Sequence, residues 1–216
     1  MPERSDIPRP TVKRLSLYLR EAERRIEAGA TTISSRELGE SMDIAGTQVR
    51  KDLGHFGQIG KSGIGYQASN LVATLRRILG LDRSWRAIVI GVGNIGRALL
   101  AYPQFAQRGF HIMAAFDQDL AIVGQELGGI EVRSMDSLID FVAEQDVHLG
   151  LVAVPGEAAQ QVAEQLVEAG IKGILNFAPT RLHVPVGVVS VDLSRSLETL
   201  AFQVTRGLTG EATADD

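Results

Sequence analysis

The chain has 216 residues, of which 44% are hydrophobic and 22% charged, and this predicts one large or two modest folded domains rather than disorder. It has no cysteine and four histidines without ligand-like spacing, which excludes disulfides and thiol chemistry and argues against a metal site. No apolar run approaches the roughly 20 residues of a membrane helix and the start is polar, so we expect a cytoplasmic protein with no membrane partner.

The first 80 residues have the pattern of a winged helix-turn-helix. Apolar residues at three-and-four spacing, from Val12 to Ile26, predict an amphipathic helix with Arg14 on its outer face. Ser34 and Glu37 form a capping box before a short helix, and the segment TQVRKDLGHF predicts the next helix. The second helix of such a pair lies in the major groove of DNA. We expect GQIGKSGIGYQ to form a hairpin wing and residues 69–80 another helix.

The charge of the chain supports a polyanionic partner for this part alone. Residues 1–80 hold 13 Lys and Arg against 9 Asp and Glu, whereas the remaining residues hold 9 against 17. Taken alone, this uneven distribution of charge is explained about as well by random variation among solvent-exposed faces. We predict DNA contacts from residues of the two helices and the wing, namely Ser35, Thr47, Gln48, Arg50, Lys51, His55 and Lys61.

From Trp85 onward, short apolar strands alternate with helices. The segments RAIVIG, HIMAAFD, HLGLVAVP, KGILNFAP and VGVVSVDL predict strands, with helices near 94–107, 135–144 and 156–169. This alternation favours an α/β fold with a parallel, doubly wound sheet. A last amphipathic helix follows the final strand, and its apolar face needs a surface that another subunit can supply. We therefore predict three parts: 1–80, 81–192 and 193–216.

Residues 91–96, with the sequence GVGNIG, form a dinucleotide-binding motif directly after the first of these strands. Gly91 permits a tight turn, Gly93 lets a pyrophosphate approach, and Gly96 allows close packing of helix and strand. We also predict that Val92, Asn94 and Ile95 of the same turn bind the cofactor, because N–H groups at the start of a helix favour an anion.

Asp117 ends the second strand, 21 residues after Gly96. A carboxylate there accepts hydrogen bonds from a ribose diol and repels the phosphate of NADP, so NAD or NADH is expected. A Rossmann-like sheet that binds nothing, or that binds coenzyme A, is the alternative. Two further loops are candidates for the nicotinamide pocket, and their residues are Val154, Pro155, Asn176, Phe177 and Ala178.

A dehydrogenase needs a proton donor or acceptor beside the nicotinamide, commonly His or a Tyr–Lys pair. None of the three tyrosines begins a Y-x-x-x-K sequence, and His183 is the only histidine close to a predicted strand end. Little chain remains for a substrate domain. We therefore expect no enzyme, with an NAD-dependent oxidoreductase that carries a basic N-terminal domain as the alternative.

The combination of these motifs resembles the redox-sensing transcriptional repressor family Rex. The resemblance is carried by IPRPTVKRLSLYLR, SSRELGE, QVRKDLGHFG, GIGY, GVGNIGRAL, VPGEAAQ, AGIKGILNFAP and VDL, which cover nearly the whole chain in the family's order. It implies a homodimer with exchanged terminal helices, which binds palindromic operator DNA and is released by NADH but not by NAD+.

The resemblance also implies a switch made of three residues: an Arg of the first helix, a Tyr on the helix after the glycine turn, and an Asp before the last helix. They correspond to Arg14, Tyr102 and Asp192. In the family an aromatic residue commonly follows that Asp and approaches the nicotinamide, whereas this chain has Leu193.

Overall fold

The structure, a computed structural model, describes residues 7–61 and 63–207, and the chain divides into two compact units between Arg83 and Ser84. The first unit is mostly helical, with one small sheet. Its elements are α1 (Arg9–Glu27), β1 (Thr32–Ile33), α2 (Ser35–Glu40), α3 (Gly46–Gly54), β2 (Tyr66–Gln67) and α4 (Ala68–Ile78). β1 and β2 pair antiparallel.

The core of the first unit lies between α1, α4 and the α2–α3 pair. Leu15, Leu19 and Ala22 are buried on α1 as the pattern predicts, but Val12 is 44% exposed and Thr11 is buried. Successive residues of a helix lie about 100° apart, so the centre of the buried stripe falls on Thr11 and Tyr18 rather than on Val12.

The predicted helix-turn-helix is confirmed. The Glu37 N–H donates to Ser34 Oγ at 3.1 Å, and the Ser34 N–H donates to Glu37 Oε2 at 2.7 Å, which completes the capping box of α2. Val49 and Leu53 of α3 are buried in the core. The wing is shorter than a strand ladder: Lys61 and Gly65 form a single antiparallel bridge, and Ser62 lies outside the described residues.

The second unit is built on a seven-stranded sheet. Its strands are β3 (Trp85–Ile90), β4 (Phe110–Asp117), β5 (Glu126–Leu127), β6 (Ile130–Ser134), β7 (Leu149–Val152), β8 (Gly173–Asn176) and β9 (Gly187–Ser190). Their order is β5-β6-β4-β3-β7-β8-β9, and every pair is parallel except β5–β6. Apart from β5, this is the Rossmann order, with its switch point between β3 and β7.

The helices of the second unit cover both faces of the sheet. They are α5 (Asn94–Leu100), α6 (Gln104–Gln107), α7 (Leu138–Gln145) and α8 (Gly156–Glu168), whereas α9 (Leu193–Thr205) follows β9 and none of its residues is buried. Along β3, Ile88 and Ile90 join the core on one face while Ala87 and Val89 join the core on the other. This alternation follows from the two-residue period of a strand. The glycine turn begins where β3 ends, at the C-terminal edge of the sheet.

Two predictions for the second unit need correction. The helix predicted over 94–107 is two helices, because Pro103 restricts the residue before it and α5 ends at Leu100. Strands β5 and β6 were not predicted. They form a hairpin whose turn, Gly128–Gly129, has positive φ at both residues, as a type I′ turn requires.

The last helix, α9, keeps an apolar surface in contact with solvent. Leu197, Leu200 and Val204 are 66%, 53% and 63% exposed. No helix among residues 7–61 and 63–207 is both long and apolar enough to cross a membrane.

Candidate functional site

The glycine turn joins β3 to α5 at the C-terminal edge of the sheet. Gly91 has φ of +91°, and a Cβ there would lie 2.7 Å from Val154 Cγ1, so only glycine fits. A Cβ on Gly96 would overlap the Gly91 carbonyl oxygen, which shows how closely α5 approaches the turn. A Cβ on Gly93 would meet no atom within 4 Å. Of the three glycines of the turn, only the middle one faces open space.

Asp117 is held beside this open space. Its Oδ2 accepts a 2.7 Å hydrogen bond from the Val92 N–H, and its Oδ1 accepts one of 3.0 Å from the Asp119 N–H. Each carboxylate oxygen has a second lone pair, so both can accept another hydrogen bond. The side chain is half-buried and oriented, as the ribose end of a dinucleotide site requires.

The two loops predicted for the nicotinamide follow β7 and β8. Val154 lies against the glycine turn, and the Phe177 N–H donates to the Val152 carbonyl at 2.8 Å. Pro155 is exposed and precedes α8, while Ala178 is buried. The loops lie on the other side of the switch point from Asp117, in the crevice where doubly wound sheets bind ligands.

Asn176 is fully buried and holds its loop together. Its Oδ1 accepts from the Ala178 N–H at 3.0 Å, and its Nδ2 donates to the Thr180 carbonyl at 2.8 Å. The buried Asn176 side chain therefore fixes the conformation of the loop. Neighbouring residues of the loop, rather than Asn176, form its accessible surface.

The predicted DNA-contacting residues lie mainly on α2, α3 and the wing. Thr47, Arg50, Lys51 and Lys61 are exposed, while Ser35, Gln48 and His55 are partly buried. Arg50 Nη1 donates to Ser35 Oγ at 2.7 Å and so links the start of α2 to the exposed side of α3.

Sequence reasoning missed a buried carboxylate beneath this surface. Asp52, on α3, is 1% exposed. It accepts hydrogen bonds from Arg14 Nε at 2.6 Å and Nη2 at 2.8 Å, from Tyr18 OH at 2.8 Å, from Thr11 Oγ1 at 3.1 Å and from Gln48 Nε2 at 2.9 Å. Burial works to raise the pKa of Asp52, but the hydrogen bonds from Arg14, Tyr18 and Gln48 outweigh it and lower the pKa to about 2.

This cluster corrects the expectation that Arg14 lies on the outer face of α1. Its side chain is 19% exposed, and two of its nitrogens bind Asp52, which raises the pKa of the guanidinium. Thr11, Arg14 and Tyr18 recur at helical spacing, which places them along one side of α1 but does not identify Asp52 as their partner.

The other two residues of the predicted switch also have partners within their own unit. Tyr102 lies between α5 and α6 rather than on a helix, and its OH donates to Gln104 Oε1 at 2.8 Å. Asp192 caps α9, with Oδ1 accepting from the Ser194 and Arg195 N–H groups at 3.0 and 3.1 Å. Their joint role remains a prediction.

Comparison with known proteins assigns the chain to a family. Residues 82–180 match the family model "CoA binding domain", and residues 6–54 match the model "Putative DNA-binding protein N-terminus". A redox-sensing transcriptional repressor Rex from Carboxydothermus hydrogenoformans is 46% identical over 202 residues, which cover 93% of this chain and 97% of that protein. This chain belongs to the Rex family. The resemblance inferred from the motifs is thereby confirmed.

Two solved structures extend the match to the fold. The Rex-family repressor RSP in complex with β-NAD+ and operator DNA has a TM-score of 0.88 and 36% identity, covering 97% of this chain and 100% of that chain. RSP in complex with β-NADH has a TM-score of 0.84 and 35% identity, covering 94% and 96%. The predicted fold class, a DNA-binding domain followed by a Rossmann-type domain, is confirmed. These Rex relatives are named repressors rather than enzymes.

Proposed function

We propose that this protein is a transcriptional repressor that binds palindromic operator DNA as a homodimer and leaves it when NADH, but not NAD+, is bound. One observation carries the proposal: the same chain holds a helix-turn-helix with exposed basic residues and a Rossmann turn with an oriented carboxylate. The complexes of RSP with β-NAD+ and operator DNA, and with β-NADH, support it. A repressor of chromosomal operators works in the cytoplasm.

The residues of the second unit fit an NAD-type dinucleotide. Gly93 leaves room for the pyrophosphate, and the N–H groups of Asn94 and Ile95 lie in the first turn of α5, where helical partners are lacking. Asp117 would accept hydrogen bonds from the ribose hydroxyls. Val154 and the loop held by Asn176 would bind the nicotinamide end. When bound, the dinucleotide supplies the redox state of its nicotinamide ring as a signal.

The preference for NADH over NAD+ follows from the charge of the nicotinamide. Burial of the cationic ring of NAD+ in an apolar pocket costs more than burial of the neutral ring of NADH. A ligand shifts an equilibrium between two dimer arrangements only by its different affinity for them. We infer that the NADH-bound dimer turns its two α3 helices away from half-sites that lie one helical turn, or a multiple, apart.

The rival function is an NAD-dependent oxidoreductase. His183, its only histidine candidate, lies in the loop between β8 and β9, where the backbone N–H of His183 donates to Gln160 Oε1 at 2.9 Å. The names of the relatives favour a repressor, and we propose that the protein catalyses no reaction. Incubation of the protein with NADH and a panel of carbonyl compounds is expected to give no change in absorbance at 340 nm.

The match to a CoA-binding model favours a second ligand class. Coenzyme A carries a phosphate on its ribose, and the Asp117 carboxylate would repel it just as it repels the phosphate of NADP. Calorimetric titration with NADH, NADPH and coenzyme A separates these ligands. Binding of coenzyme A in preference to NADH would contradict the proposal.

We expect the Asp117→Asn variant to lose the preference for NADH over NADPH. The amide oxygen can still accept the Val92 N–H, so the contact with the glycine turn is preserved, whereas the hydrogen bond from the Asp119 N–H and the negative charge that repels the extra phosphate are lost. Hydrogen bonds to a charged group contribute about 1.5–3 kcal/mol, so NADH affinity is expected to fall roughly tenfold or more. The matched control is Asp119→Asn, which removes the same charge two residues further on. An unchanged NADH-to-NADPH ratio in Asp117→Asn would show that the carboxylate does not face the ribose.

We expect Lys61→Ala to weaken operator binding across all sequences and to reduce the slope of log affinity against log salt by about 1. Lys61 is exposed in the wing, where a cation can neutralise a phosphate without reading a base. Lys172→Ala removes an exposed lysine of the second unit and is the control. A salt slope in Lys61→Ala equal to that of the wild type would remove Lys61 from the DNA contacts.

One gel-shift experiment distinguishes the repressor from both rivals. Duplexes with a palindromic, A·T-rich operator are incubated with the full chain alone, with NADH and with NAD+. We expect a shifted band that NADH removes and NAD+ leaves, whereas either rival predicts no specific band.

A further inference from the structure

The amide of Gln48 is held in one orientation by Asp52. Gln48 Nε2 lies 2.9 Å from Asp52 Oδ1, one helical turn further along α3. Asp52 is itself fixed from α1 by the two nitrogens of Arg14 and by the hydroxyl of Tyr18. Because an ionised carboxylate only accepts hydrogen bonds, the Gln48 atom that faces it must be the nitrogen. The oxygen Oε1 therefore points away from Asp52.

This orientation determines what Gln48 offers to DNA. An amide nitrogen has two N–H groups, and Asp52 takes one of them. A bidentate contact with a base requires that this be the N–H on the Cγ side. The other N–H and Oε1 then form an adjacent donor and acceptor on the outer edge. In the major groove, adenine presents the complementary pair, an N6–H donor next to the N7 acceptor.

Gln48 is also well placed along α3. It is the third residue of the helix, and the N-terminal residues of a recognition helix contact base edges. Arg50 Nη1 is engaged by Ser35 Oγ at 2.7 Å, whereas Thr47 and Lys51 are exposed. Thr and Lys side chains have no carboxamide. Within the first turns of α3, Gln48 is therefore the residue whose adjacent donor and acceptor match adenine.

We propose that Gln48 determines sequence specificity by reading one adenine in each operator half-site, and that Asp52 positions the Gln48 amide for this contact. The proposal rests on the proposed function and adds the base that the first turn of α3 recognises. Asp52 is buried, so its effect on base recognition passes through Gln48.

The test starts from operators selected by the full-length protein from a pool of duplexes with a randomised inverted repeat. We expect the wild type to enrich adenine at one position of each half-site that Gln48→Ala no longer selects, with the other positions unchanged. Replacing that adenine by 7-deazaadenine removes only the N7 acceptor. We expect this replacement to weaken wild-type binding about tenfold and Gln48→Ala binding by less than twofold. Gln161→Ala removes an exposed carboxamide from α8 of the second unit, is the control, and is expected to retain the adenine preference.

The positioning role of Asp52 has a spectroscopic signature. In the free protein labelled with 15N-glutamine, the Gln48 side-chain amide, assigned by its absence in Gln48→Ala, is expected to show one proton shifted downfield and protected from exchange. A rapidly exchanging, averaged amide would overturn the positioning role. Thr11→Val removes another hydrogen bond to Asp52 without touching Gln48 and is expected to keep the signature.

The outcomes separate this proposal from the function on which it rests. If the wild type selects an operator but Gln48→Ala keeps the same preference at every position, or loses preference at a base other than adenine, the assignment of Gln48 is wrong while the repressor function stands. If the wild type enriches no sequence, the repressor function itself is wrong.

Discussion

Asp52→Ala is expected to lower the free energy of unfolding of the first unit by about 3–5 kcal/mol, the usual cost of removing one partner from a buried ion pair. The substitution leaves the guanidinium of Arg14 and the hydroxyl of Tyr18 without the oxygens that they now bind at 2.6–2.8 Å. It also removes the hydrogen bonds that join α3 to α1. Chemical denaturation followed by circular dichroism measures the loss, and we expect operator binding to disappear while NADH binding by the second unit persists.

The same cluster predicts a pH dependence at low pH. The pKa of Asp52 is lowered from 3.8 to about 2 in the folded protein, so its contribution is present above about pH 4 and is lost as the pH falls toward 2. Thr11→Val removes only one hydrogen bond to the carboxylate and is expected to cost about 1 kcal/mol. If Asp52→Ala melted no earlier than Thr11→Val, the cluster would not stabilise the first unit.

Gly93→Ala is expected to weaken NADH binding about ten- to hundredfold without changing the thermal melting of the protein. The backbone at Gly93, with φ of -72° and ψ of -161°, is open to any residue, and an added Cβ meets no protein atom within 4 Å. The methyl group would therefore occupy the space proposed for the pyrophosphate. Overpacking of this kind costs about 1–3 kcal/mol, and quenching of protein fluorescence by NADH measures it.

Two comparisons make this result specific. Gly187→Ala, in β9, also adds a Cβ to open space but lies away from the glycine turn, so its NADH affinity is expected to equal that of the wild type. Gly96→Ala would collide with the Gly91 carbonyl and is expected to lower both stability and affinity. Wild-type NADH binding by a folded Gly93→Ala protein would place the pyrophosphate elsewhere.

The parts of the fold that depend on local rules are predictable from the sequence. The capping box of Ser34 and Glu37 forms as expected, because both of its hydrogen bonds lie within four residues of chain. Five of the seven strands between Trp85 and Ser190 also form where apolar runs predict them. Their parallel order follows from the alternation with helices.

Two further features of the second unit follow from local signals in the sequence. A Gly128–Gly129 pair between two short segments indicates a type I′ hairpin, and the structure has one there. Pro103 indicates a break in the helix that follows the glycine turn, and Tyr102 therefore lies between α5 and α6.

The Asp52 cluster could not be predicted in the same way. Arg14 and Asp52 are 38 residues apart, and their pairing depends on how α1 packs against α3 rather than on any local pattern. From the sequence alone, Arg14 looks like one of several exposed cations on α1. Only the packed unit shows that the charge of Arg14 pairs with the buried Asp52. It also shows that Asp52 orients Gln48.

The central claim is that NADH and operator DNA oppose each other on this protein, and linkage provides its most direct test. Fluorescence anisotropy of a labelled operator gives the Kd for DNA with saturating NADH and with saturating NAD+, and titration of NADH with and without operator gives the reverse coupling. We predict that NADH weakens operator binding at least tenfold and that operator weakens NADH binding by the same factor. We predict that NAD+ does not weaken operator binding. Equal operator affinity in NADH and NAD+ would contradict the account.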